Sequence, residues 1–359
     1  MGKFLSTRFQ GKDGYHLGER SRSRSIIKLN SNESPFPPSP EVLASVTKDL
    51  LEEQHFYSDP KSRLLSEAIA EYYDVDASEV FADSGSDVVL SYCMLAFGSE
   101  RGFCFPDVTY AFYKTFSEFF DIPYTEVPVK ADFSIAAEDY FGCKRNVLLA
   151  NPNAPSGLVL GVDEIERIVE SDPNRLVVID EAYVDYQNES CIPLIRHHKN
   201  LVVVQTMSKS RNLAGARIGF AVSSAENIED LSTMKAAFNP DSINSISEAM
   251  GCAAMKDSKY MHEYVEKIVF TREKTREELQ RRGFEVLKSH TNFLFFKPPY
   301  LPADEFCKRL KEKGVLVRHY SQPRISAYVR MTIGSDDQMK EVLSRIDSVL
   351  YKDPVALQA

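Results

Sequence analysis

The chain has 359 residues, 43% of them hydrophobic, enough to bury a sizeable core and to set a prior of about two domains. A net charge of -9 leaves little over for the basic face that nucleic acid requires, so an anionic ligand must be met by local arginines. Nowhere does an apolar run approach the roughly 18 residues of a spanning helix, and Met1 to Gln10 carries no apolar core of signal type, so a cytoplasmic chain is expected.

Residues 1 to 30 read as an arm of little periodicity, in which Arg20, Arg22 and Arg24 alternate with serine as a solvated basic patch. The proline-rich loop Asn32 to Pro40 cannot turn helical before Glu41. A helix is predicted over Val42 to Leu51, a turn at Phe56-Tyr57-Ser58-Asp59-Pro60, and a second helix over Ser62 to Tyr73. From about residue 79 the pattern changes. Apolar runs of strand length at Val80 to Ala82, Gly102 to Phe105, Val147 to Ala150, Leu176 to Ile179, Leu201 to Val204 and Ile218 to Val222 alternate with helix-length stretches. That alternation predicts an α/β domain with a mostly parallel sheet covered on both faces, whose ligands sit at the carboxyl ends of the strands. After about residue 258 come a charged helix Tyr260 to Arg282, strands at Phe284 to Leu287 and Asn292 to Phe296, a helix Ala303 to Lys313, strands at Val315 to Val317 and Tyr328 to Ile333, and a last helix to Leu350. The organisation expected is an arm (1–30), a large domain (31–258) and a smaller α+β domain (259–359). The six cysteines (Cys93, Cys104, Cys143, Cys191, Cys252, Cys307) stand singly, with no CxxC pair and no histidine at metal spacing, so neither a disulfide nor a metal is expected.

The chemistry gathers after the predicted strands. Leu201 to Val204 delivers Ser208-Lys209-Ser210-Arg211 into a glycine-punctuated loop that continues to Arg217. A lysine held among apolar and cationic neighbours has a lowered amine pKa and becomes a nucleophile; read alone, Lys209 is as readily a solvated surface lysine. Ser84-Gly85-Ser86-Asp87 opens an apolar helix, Val88 to Phe97, whose N-terminal amides can receive a phosphate, although an isolated match of this kind is an ordinary cap. Tyr110, in Asp107-Val108-Thr109-Tyr110, offers a ring that by itself reads as core. Asn151-Pro152-Asn153-Ala154-Pro155-Ser156-Gly157 is a rigid turn, and Asp180, directly after Val-Val-Ile, either caps a local group or is a placed buried charge, which needs a cationic partner.

Taken in order, Leu29-Asn30-Ser31-Asn32-Glu33, Tyr57-Ser58-Asp59-Pro60, Gly85-Ser86-Asp87, Thr109-Tyr110, Asn151 to Gly157, Asp180-Glu181-Ala182-Tyr183, Ser208-Lys209 with Arg217, and Val329-Arg330-Met331-Thr332-Ile333-Gly334 resemble the fold-type I pyridoxal-phosphate (PLP) aminotransferases. Within them the chain looks most like the class II subgroup that acts on histidinol phosphate. The likeness runs from about Leu29 to Ser335 and implies the fold-type I architecture, a large domain with a sheet of the mostly parallel, seven-stranded type. It also implies PLP as cofactor and transamination of L-histidinol phosphate with 2-oxoglutarate in histidine biosynthesis.

By that resemblance Lys209 is the Schiff-base lysine and the base that moves a proton between substrate Cα and cofactor C4′. Asp180 pairs with the pyridinium nitrogen, Tyr183 meets the phenolic oxygen, and Tyr110 stacks on the ring. Gly85, Ser86, Asp87, Ser208 and Arg217 surround the phosphate, with Tyr57 reaching it from a second subunit, so a homodimer is implied. Arg330 and Arg318 meet the acidic end and phosphate of the substrate, joined by Asn32 and by Tyr15 from the arm. Ala154 departs from the pattern, since the family usually has asparagine there; Asn153 can substitute at the phenolic oxygen, or Tyr183 acts alone. Ser84 and Val88 stand where asparagine and glutamate are common. Arg324 is either a third cation for substrate or a surface ion pair. The rivals are a threonine-phosphate decarboxylase of the same fold, an aromatic amino acid aminotransferase, and a PLP-binding regulator, which would need more than a 30-residue arm to read DNA.

Overall fold

The computed structural model describes residues 2–14, 19, 25–186 and 189–350; Tyr15, Arg20, Arg22 and Arg24 lie outside them. The strands of the described residues are β1 (Ile27–Lys28), β2 (Val80–Asp83), β3 (Phe103–Pro106), β4 (Tyr124–Val127), β5 (Asn146–Ala150), β6 (Val177–Asp180), β7 (Leu201–Thr206), β8 (Gly219–Ser223), β9 (Glu285–Val286), β10 (Phe293–Lys297), β11 (Val315–Leu316), β12 (Arg318–His319) and β13 (Val329–Thr332). β2 to β8 form one seven-stranded sheet in the order β2-β8-β7-β6-β5-β3-β4. Only β8 runs against its neighbours; the pairs from β7 across to β4 are parallel.

The central strands lie among helices on both sides, which is why they are near-continuous β-branched and aliphatic runs. All six residues of β7 are buried. Successive side chains point to opposite faces, and accordingly Val202 and Val204 join a core with Val89, Leu90, Phe103 and Phe105, while Leu201 and Val203 join another with Leu65, Ile69, Ile165 and Ile168. β4 escaped the sequence pattern because it is an edge strand, with no fully buried residue.

A third core gathers Val265, Ile268, Leu294, Phe296, Phe306, Val329, Met331 and Ile346 around an antiparallel sheet of order β12-β13-β10-β9. Leu29 belongs to this core, and β1 pairs in parallel with β11. Residues 27–29 are thereby built into the C-terminal part of the fold.

Two expectations need correction. The helix predicted over Val42 to Leu51 is two short helices, Pro40–Ala44 and Lys48–Glu52, because the Ser39 and Thr47 hydroxyls each accept an amide (Val42 N–H and Leu50 N–H, both 3.2 Å) and start a separate turn. Cys104 and Cys143 are joined as a disulfide, which their separation of 39 residues did not announce; the fold carries Cys104 on β3 to a loop beside β5. No helix of the described residues is long and apolar enough to cross a membrane.

Candidate active site

The parallel strands end along one rim of the large sheet, at Asp83, Pro106, Ala150, Asp180 and Thr206, and the loops that follow them carry the motifs singled out above. Past Thr206 the chain turns sharply. Ser208 N–H donates to Thr206 Oγ1 at 3.1 Å, Ser210 Oγ donates to the Asp185 carboxylate, and Asn212 and Arg217 take left-handed backbone conformations at φ 58° and 55°. Such conformations are uncommon for residues with a side chain and cluster where geometry is functional. They leave Lys209 facing a cleft, its Nζ 5.7 Å from the centre of the Tyr183 ring. Burial, and after it the charge of Arg330, lower the Lys209 amine to about 8.

Asp180, 4% exposed, ends β6 on the same cleft. Tyr113 Oη donates to its Oδ2 at 2.6 Å and the Ala182 amide to its Oδ1 at 3.1 Å. Burial pushes the carboxyl up to about 6, and those two hydrogen bonds oppose the rise. Tyr183 receives a hydrogen bond from Asn32 Nδ2 at 2.8 Å and packs edge-on against Phe293. Asn32, itself left-handed at φ 53°, is locked by Thr332: its amide donates to Thr332 Oγ1 at 2.9 Å, and that hydroxyl donates back to Asn32 Oδ1 at 3.0 Å.

The other end of the cleft has the geometry of an anion cradle. Gly85, at φ 93°, caps the helix Ser86–Gly98, whose first amides have no intrahelical partner. A Cβ on Gly85 would stand 2.5 Å from Arg217 Nη2, and one on Gly219 would stand 2.1 Å from Ser86 N, so glycine at both positions lets β8 and the Arg217 guanidinium close on the helix start. Arg217 Nη2 lies 3.6 Å from Asp87, which also accepts from Tyr110 Oη at 3.0 Å. Across the cleft, Arg318 and Arg330 are register partners on β12 and β13. Like charges opposite each other repel, so the pairing suits a site that receives an anion.

One cleft thus collects Asn32, Ser86, Asp87, Tyr110, Asp180, Tyr183, Ser208, Lys209, Arg217, Arg318 and Arg330, with Gly85 directly behind Arg217. Two expected residues stand apart from it. Asn153 is 1% exposed and engaged elsewhere, donating to Val108 O at 2.9 Å and accepting from Thr109 Oγ1 at 2.7 Å; it braces the loop of Tyr110, and Ala154 lines the cleft instead. Tyr57 is 90% exposed and forms no part of the cleft of its own chain. Tyr15 falls outside the described residues. Arg324 is a clasp: it binds the Asp107 carboxylate and the carbonyls of Val129 and Lys130. Sequence reasoning missed Asn30, Ser31, Thr206 and Tyr320 in the lining, and Tyr113 behind Asp180. For Tyr113 the signal was its place three residues past Tyr110.

The donor set fits a ligand with a phosphate, a basic ring nitrogen and an amine-reactive carbon: helix-start amides, two hydroxyls and an arginine at one end, a buried carboxylate in the middle, and a low-pKa lysine beside it. The family model of the class I and II aminotransferases matches residues 24–346. The chain belongs to the class I and II aminotransferases. This aminotransferase is 39% identical over 353 residues to the histidinol-phosphate aminotransferase of Brachyspira hyodysenteriae, covering 98% of this chain and 99% of that one. Among solved structures it superposes on the histidinol-phosphate aminotransferase of Sinorhizobium meliloti in complex with pyridoxal-5′-phosphate, with a TM-score of 0.84 at 20% identity over 97% of this chain and 99% of that one. It also superposes on the L-threonine-O-3-phosphate decarboxylase of Porphyromonas gingivalis, with a TM-score of 0.78 at 22% identity over 91% and 100%. At those identities the two structures speak for the fold, which the aminotransferase shares with both.

Proposed function

We propose that this aminotransferase holds PLP in the cleft and moves the amino group of L-histidinol phosphate to 2-oxoglutarate, giving imidazole acetol phosphate and L-glutamate in histidine biosynthesis. The observation that carries the reading is the full-length likeness at 39% identity to a protein bearing that activity in its name. The cleft agrees with it, since it sets a lysine and a carboxylate between an anion cradle and a facing pair of arginines.

When bound, PLP supplies a carbon that carries the amino group in transit and a ring that draws electrons from the substrate Cα. Asp180 would hold a proton on the ring nitrogen, Tyr183 would meet the phenolic oxygen, and Tyr110 would flank the ring. The amides at Gly85, Ser86 and Asp87, with Ser208 and Arg217, take the phosphate. Lys209, with its amine lowered to about 8, takes up and returns the proton at the substrate Cα. Arg318 and Arg330 hold the substrate's anionic end, with Asn32 beside it; the role given to Tyr15 rests on the resemblance alone. Tyr57 from a second copy completes the phosphate site, making the enzyme a homodimer; Leu43, Leu51, Phe56 and Leu64, on the same stretch of chain as Tyr57, are all exposed. The same reading divides the chain into an arm to residue 30, a cofactor domain to 258 and a smaller domain beyond, and places the enzyme in the cytoplasm.

The test is the absorbance spectrum of the purified protein before and after L-histidinol phosphate is added without a keto acid. A yellow band that bleaches with the substrate, and is missing in Lys209→Ala, is expected. A band that responds to phenylalanine alone moves the substrate assignment to aromatic amino acids, and carbon dioxide released from L-threonine O-phosphate moves it to the decarboxylase. A protein that cannot be loaded with PLP overturns the reading.

A further inference from the structure

Asp180 lines the cleft; the group that holds it from behind does not. Tyr113, on the helix Phe112–Phe120, is fully buried, with its ring edge-on to Tyr110 at 5.6 Å between centres. A buried hydroxyl needs a partner, and that of Tyr113 is Asp180 Oδ2 at 2.6 Å, a length typical of an O–H donor on an ionised carboxylate. The phenol is fitted to stay a donor, because burial and the adjacent Asp180 charge hold its own pKa well above the ordinary value. Against it stand the burial of Asp180, which favours the neutral acid, and the charge of Asp87; Lys209 acts with it.

We propose that Tyr113 is a positioning residue that keeps Asp180 ionised and aimed at the cofactor ring nitrogen, acting on the reaction only through Asp180. The inference rests on the PLP reading for its consequence, but the Tyr113–Asp180 link exists without cofactor. A carboxyl that takes up a proton can no longer pair with a protonated ring nitrogen, so the ring loses electron-withdrawing power just where the substrate Cα must give up its proton.

The test uses the whole chain with Tyr113→Phe, which keeps the ring and deletes the donor, made alone and on Asp180→Asn. In the cofactor-free protein, carboxyl ¹³C NMR of Asp180 should titrate about one unit higher in Tyr113→Phe; an unchanged titration overturns the proposal. In the loaded enzyme, kcat should fall about tenfold or more with KM little changed. On Asp180→Asn the same change should cost less than twofold, whereas an equal loss in both backgrounds would mean a merely structural tyrosine. Should Tyr113→Phe fail to fold, 3-fluorotyrosine at 113 keeps the volume and strengthens the donor. The Asp180 carboxyl of the cofactor-free protein should then titrate lower, and no change would overturn the proposal. A wild-type protein that binds no PLP refutes the cofactor reading, and the cofactor-free titration still decides the role of Tyr113.

Discussion

Asp180 and Glu181 are neighbours in the chain with the same functional group, yet they serve the two sides of the sheet end differently. Both are buried, at 4% and 2% exposure, and burial pushes their carboxyls up to about 6 and about 7. Glu181 is enclosed by the chain itself: it accepts from Ser190 Oγ and Cys191 N–H, both at 2.6 Å, and from Gln205 Nε2 at 2.8 Å, while Gln205 in turn accepts from Tyr73 Oη at 2.5 Å. Asp180 opens on the cleft beside Lys209. A fully enclosed carboxylate braces a fold; one with a side left for a ligand can do chemistry.

The sharpest way to break this comparison is at the open side. Lys209→Ala should lower kcat by roughly 10²–10⁴-fold, the usual worth of a positioned base, with folding intact by circular dichroism. Asp180→Asn should lower it by about 10²-fold or more. Glu181→Gln, by contrast, should leave kcat within a few-fold and lose about 1–3 kcal/mol in urea unfolding, as an amide nitrogen is turned toward donors. If Glu181→Gln abolishes turnover at unchanged stability, the division of labour is wrong.

The closed side also carries a pH signature. Glu181 holds its proton up to about 7 in the folded chain, against an ordinary 4.5, so between those values the native state binds more protons than the unfolded state. Its contribution is fully present below pH 4.5 and is lost as pH rises through 7, a change of a few kcal/mol. Relative to wild type, Glu181→Gln should therefore lose less stability over that interval, as thermal melts of cofactor-free protein at a series of pH values would reveal. The smallest effect is expected at the clasp. The Arg324–Asp107 pair is partly solvated, at 33% and 23% side-chain exposure, so Arg324→Ala should cost about 1 kcal/mol or less and leave substrate KM within about twofold. A tenfold rise in KM would instead make Arg324 a substrate ligand.

Much of this was legible because burial leaves a mark on composition. The strands that carry Asp180 and Lys209 are unbroken aliphatic runs, and a loop after such a run falls on the rim of a parallel sheet. Edge strand β4 was not legible, since half-buried Tyr124 to Val127 shows neither a continuous apolar run nor a clean alternation. Asn153 misled because an asparagine in a proline turn looks the same whether its amide faces a ligand or, as here, Val108 and Thr109. Tyr113 was hidden in an aromatic-rich stretch where any ring passes for core, and only the position of its hydroxyl in space sets it apart.

Asn32 holds Tyr183 with one hand and Thr332 with the other, 151 and 300 residues away along the chain. A ribosome making this protein at roughly 5–20 residues per second releases Lys209 well before Thr332. For most of that interval Arg318 and Arg330 are still unmade, and until its end Asn32 lacks the Thr332 hydroxyl that locks it. The cleft is therefore completed last by β12 and β13, long after the strands that carry Asp180 and Lys209 have been made.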